Sequence, residues 1–77
     1  MGRIVLELDV MMAKNHVSLN TLAEKVGITN VNMSKIKNNK VNAIRFSTLA
    51  GLCQTLNCTP GDILKYDPDA EELPDRD

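Results

Sequence analysis

Between Thr29 and Asn38 the chain reads TNVNMSKIKN, with no Asp or Glu. At about 100° per residue on a helix, Met33 and Ile36 share one side, and Asn30, Val31, Ser34, Lys35 and Asn38 lie on the other. The second side offers amides, a hydroxyl, a cation and one apolar group. In a major groove, Asn bonds adenine bidentately, Lys reaches the acceptors of guanine, and Val touches a thymine methyl. The competing reading is an ordinary solvated face on a small bundle. The lack of acids and the turn that precedes the segment favour a base-reading face. Lys37, Lys40 and Arg45 flank it and are expected to hold phosphates, contacts that position a protein without specifying sequence. For each of these three the alternative is a solvated cationic loop.

Charge supports a local reading only. The 77 residues carry a net −1 at pH 7. Residues 1–60 hold seven basic and three acidic side chains, and residues 61–77 hold two and seven. The body is therefore mildly basic and the tail acidic, which argues against indiscriminate polyanion binding but leaves room for a basic face.

Other chemistry finds little support. Cys53 and Cys58 sit five apart where apolar residues are expected, so buried thiols are expected rather than a disulfide or metal site. His16 falls near a helix end and reads as a solvent-facing residue interacting with the last carbonyls. No nucleophile–base pair, metal cluster or phosphate loop is apparent, so neither an enzyme nor a cofactor is expected. No stretch approaches the apolar length of a membrane span and no leader pattern is seen; a cytoplasmic location is the default expectation.

The elements that must position the face follow from caps and periodicity. Arg3–Leu6 is β-prone, and a helix from Leu8 to Asn15 follows, with Asp9 near its positive end. Ser18 caps a helix over Leu19–Val26, with Val17 and Leu22 spaced as a hydrophobic staple. Gly27 ends it, and Thr29 caps a third helix of about Asn30 to Asn38, so the two must cross steeply. Asn38-Asn39-Lys40 closes that helix, Asn tolerating the left-handed conformation. Ser47 is the expected cap of a fourth helix, where Leu49, Leu52, Cys53 and Leu56 repeat at helical spacing. Thr59-Pro60-Gly61-Asp62 starts a short fifth helix. Lys65-Tyr66-Asp67 can then pair with the first strand. The methionines are expected as core filler, apart from Met1. Residues 1–67 form one domain, and 68–77 have the composition of an acidic flexible tail.

LAEKVGITNVNMSKIKNNK followed by FSTLAGLCQTLNCTPGDIL resembles the Cro/repressor-type (XRE-like) helix-turn-helix domain, most of all the small single-domain bacterial and prophage regulators. The resemblance covers about residues 6–66. It implies an all-α, five-helix lambda-repressor-like fold, to which the two terminal segments could add a two-stranded ribbon. It also implies DNA binding through the third helix and a homodimer. Asn30, Val31 and Lys35 match the family's base-reading positions, and Ser34 is a further contact. Ser18 and Asn38 match phosphate-contacting positions. Two residues depart from the pattern: Leu19 stands where many phage repressors have a buttressing Gln, and Asn39 where the family commonly has Gly.

One such domain covers about 600–1,000 Å². Two copies on an approximately palindromic operator are therefore expected, joined through the ribbon with Tyr66 or through apolar residues such as Ile44. The expected function is a sequence-specific transcriptional regulator, most simply a repressor with a double-stranded operator as partner. The alternatives are an antitoxin, with a toxin or regulatory protein as partner, and a protein-interaction adaptor.

Overall fold

The computed structural model describes residues 2–70. In chain order they form β1 (Arg3–Leu6), α1 (Leu8–Asn15), α2 (Leu19–Val26), α3 (Asn30–Lys37), α4 (Phe46–Leu56), α5 (Pro60–Ile63) and β2 (Leu64–Asp67). The strands pair antiparallel, Arg3 opposite Asp67 and Leu6 opposite Leu64, so the ribbon joins the two ends of the domain. A hydrogen bond from Glu7 N–H to Ile63 C=O continues the pairing into the helices.

All five helices contribute to one core, with Leu6 added from β1. Leu8, Leu22, Met33, Leu52, Leu56 and Ile63 are fully buried there, and Met11 and Met12 join them. Val17 packs at its margin, where the staple reading places it. Ala23 is buried in α2. In α4, a Cβ at Gly51 would lie 3.3 Å from Val26 Cγ1, so its absence lets α4 approach α2 closely.

Four helices end alike. His16, Gly27, Asn39 and Asn57 all have positive φ, and only one of them is glycine. In each case the N–H of the following residue reaches back five positions, as from Lys40 to Lys35 C=O at 2.8 Å and from Cys58 to Cys53 C=O at 3.0 Å. These bonds satisfy carbonyls that the helix leaves without partners. His16 is thus the closing residue of α1, exposed and bonded to Ala13 C=O through its backbone N–H.

The start of α4 differs from expectation. Its N-cap is Arg45, which makes no side-chain capping bond, and Ser47 lies inside the first turn. The Arg45 carbonyl accepts from Leu49 N–H at 2.9 Å, closing the helix two residues early. A Ser cap contributes only about 1 kcal/mol, so packing of the segment readily overrides it. The result leaves Phe46 89% exposed.

The cysteines also differ: both are free thiols, half-buried at the core margin instead of fully enclosed. Burial, and then the neighbouring Cys53, push the Cys58 thiol pKa up. After β2, Ala70 N–H turns back to Asp67 C=O. Residues 71–77 of the expected tail, and Met1, lie outside the described residues.

Candidate nucleic-acid interface

The helix pair α2–α3 is built by two matching caps. Ser18 Oγ accepts from Thr21 N–H at 3.1 Å, and Thr29 Oγ1 accepts from Asn32 N–H at 3.1 Å. Between them Gly27, at φ 86°, ends α2 and turns the chain. Met33 and Ile36 are the buried residues of α3, so the helix gives its apolar side to the core and its amide side to solvent.

Six of the sequence-predicted residues come together. Asn30, Val31, Ser34, Lys35, Asn38 and Lys40 line one shallow, open depression. Val31 is 66% exposed, an apolar group held out in water. A neighbouring depression runs from Asn32 and Lys35 to Ile44 and Arg45, so Lys35 borders both and Arg45 extends the cationic surface.

The other two sit apart. Ser18 is at the start of α2, and its hydroxyl is already engaged, capping Thr21 N–H and donating to Thr21 Oγ1 at 2.9 Å. What this position offers an anion is the helix's leading N–H groups. Lys37 is half-buried. It lies about 40° around the helix from Met33 and about 20° from Asn30, on the border between the apolar side and the amide side.

Internal bonds already orient part of the face. Asn38 Nδ2 donates to Ser34 Oγ at 3.3 Å. Asn30 Nδ2 donates to Asn20 Oδ1 at 2.8 Å. A primary amide has two N–H donors and a carbonyl. Asn30 therefore keeps one donor and its acceptor, the pair needed for a bidentate bond to adenine. Leu19, standing where a buttressing Gln is common, offers no amide for this contact. The structure supplies an amide from the next residue, Asn20, and the available signal was an Asn one position along on the same exposed turn.

Asn39 also does more than the sequence indicated. Its side chain pairs with the backbone of Leu6, and its carbonyl accepts from Arg3 Nη2 at 2.9 Å. Among the described residues no group of three or more His, Cys, Asp or Glu side chains converges as a metal site would, and no helix is long and apolar enough to cross a membrane.

Two helices joined by a glycine turn, the second presenting a polar flank from a five-helix scaffold, define a helix-turn-helix protein. The chain belongs to the Cro/C1-type HTH DNA-binding domain family, whose family model matches residues 7–69. It is 50% identical over 68 residues to the uncharacterized HTH-type transcriptional regulator YozG of Bacillus subtilis (strain 168), covering 88% of this chain and 81% of that one. The fold is shared with a candidate DNA-binding protein from Bacteroides fragilis, at TM-score 0.73 and 21% identity, covering 80% of this chain and 98% of that one. It is shared also with the transcriptional regulator VanUg, at TM-score 0.70 and 25% identity, covering 88% and 89%.

Proposed function

We propose that this chain is a sequence-specific, double-stranded-DNA-binding transcriptional regulator, acting in the cytoplasm as a homodimeric repressor. The carrying observation is the acid-free depression on α3, where Asn30, Val31, Ser34, Lys35, Asn38 and Lys40 meet. Asn30, Val31, Ser34 and Lys35 read base edges. Asn38, Lys40, Arg45 and the α2 terminus at Ser18 hold phosphates, with Lys37 contributing from the flank. Family membership and the resemblance to YozG support a regulator.

A dimer follows from size, since one domain of this kind buries too little surface to select a genomic site. Two copies of α3 enter successive major grooves roughly 34 Å apart. The ribbon suits the contact between copies: Ile4 and Tyr66 are cross-strand partners, and both are more than half exposed. An apolar cleft leads from Ile4 to Ile44.

Titration of duplex DNA against rising salt tests the reading. Binding should survive competitor DNA and weaken with a slope reporting several phosphate contacts. Binding that salt abolishes with no preference between sequences would instead favour a protein-interaction adaptor. Light scattering at the concentration of the titration reports the dimer.

A further inference from the structure

We propose that Asn39 is a positioning residue for DNA reading: its side-chain amide fastens the end of α3 to the edge of β1 and so sets the angle at which the Asn30–Asn38 face meets a duplex. This rests on the reading of α3 given above.

Leu6, the last residue of β1, stands opposite Leu64. Its N–H and C=O both go to the Asn39 amide. Leu6 N–H donates to Asn39 Oδ1, and Asn39 Nδ2 donates to Leu6 C=O at 2.9 Å. A primary amide presents a donor and an acceptor side by side, as the backbone of an adjacent strand does. The side chain thus stands in for a third strand at one position of the ribbon. The bond from Arg3 to the Asn39 carbonyl crosses the same gap.

Closing the helix does not call for this amide. The turn needs only positive φ and the backbone bonds from Asn39 and Lys40, which glycine would make without a side chain. Asn57 closes α4 at φ 51° with no side-chain bond among the described residues. What Asn39 adds is a link to a residue 33 positions away. The added link is directional. Met33 and Ile36 attach α3 to the core through apolar contacts, which have no preferred angle. Two hydrogen bonds from one planar group do have one. Base reading tolerates errors of only about 0.5 Å and 10–20° in a contact group, so a helix held by two apolar residues gains most from such a fastening.

The test uses the whole chain and a duplex of about 20 base pairs, selected by the wild-type protein from a randomised pool. Asn39→Gly keeps the left-handed turn and removes the amide. Its affinity for the selected duplex should fall about tenfold, while its affinity for a scrambled duplex stays within about twofold. The thermal midpoint should move little, because glycine relieves the backbone as the amide bonds are lost. Hydrogen exchange at Leu6 N–H should accelerate. Arg3→Gln should reduce discrimination in the same direction by a smaller factor, and it carries the measurement should Asn39→Gly not fold. Unchanged discrimination in the folded variants would overturn the proposal, as would equal losses on both duplexes; Asn39 would then serve the fold alone. A wild-type protein that enriches no sequence from the pool would fail at an earlier step and would sink the DNA reading itself.

Discussion

Helices α3 and α4 are both closed by an asparagine in the left-handed conformation, yet they are held in opposite ways. α4 buries Leu49, Leu52 and Leu56 along eleven residues and starts without a side-chain cap. α3 buries only Met33 and Ile36 in eight residues, and polar bonds surround it. Thr29 caps it, Asn20 holds Asn30, and Asn39 ties its end to Leu6. Burial keeps a helix against the core, whereas hydrogen bonds decide how it is turned. A helix whose outer side is reserved for a partner has little apolar surface left to bury, so direction must come from polar contacts.

Core truncations should give the largest effects and would break the contrast if they fell mainly on α3. Leu52→Ala and Met33→Ala each remove a fully buried side chain and should cost about 2–5 kcal/mol in urea unfolding. Met33→Leu, which conserves volume, should cost less than about 1.5 kcal/mol. Next in size is the outer face. Lys35→Ala should weaken binding to a selected duplex by about 1–3 kcal/mol and relax the preference at one base pair. Its unfolding free energy should stay within about 0.5 kcal/mol of wild type. A large loss of stability would mean that Lys35 belongs to the scaffold.

The two asparagines sharpen the comparison further. Asn57→Gly should stabilise the fold by about 0.5–1 kcal/mol, since only a left-handed backbone is relieved. Asn39→Gly should gain less, because it also gives up the Leu6 bonds; equal gains in thermal unfolding would show that those bonds contribute nothing to stability.

The smallest effect lies at α5. Thr59 N–H, at 2.9 Å, and then the Thr59 hydroxyl hold the Asp62 carboxylate pKa below its usual range. A depressed folded-state pKa stabilises above the unfolded value, and that contribution disappears as pH falls through the folded one. The melting difference between wild type and Asp62→Ala should therefore be full at neutral pH and shrink below about pH 4. A difference that stayed constant into acid would assign the effect to packing.

Much of this architecture was legible in local sequence. Ser18, Thr29 and Thr59 announce three helix starts because a cap is a contact between residues three apart, and the β-prone Arg3–Leu6 segment offers a partner for an extended Lys65-Tyr66-Asp67. The start of α4 is not announced in this way, since its periodicity fixes which side is buried but not where the first turn closes. On the candidate face, the identities of Asn30, Val31, Ser34, Lys35 and Asn38 came from helical phase alone. Lys37 is expected at the flank of that face because its charge suits phosphate, and the same phase puts it on the border, between Met33 and Asn30. The Asn20–Asn30 buttress joins side chains ten residues apart on two helices, and spacing does not reveal such a pair.

By itself, then, the sequence determined which residues of each helix face inward, where most helices begin and end, and that one outward side carries amides and a cation without acids. These follow from interactions within one or two turns. Only the tertiary structure decided what holds that side at a fixed angle. The Asn39–Leu6 and Asn20–Asn30 bonds exist because packing brings distant segments within hydrogen-bond reach, and no local preference of the chain encodes that distance.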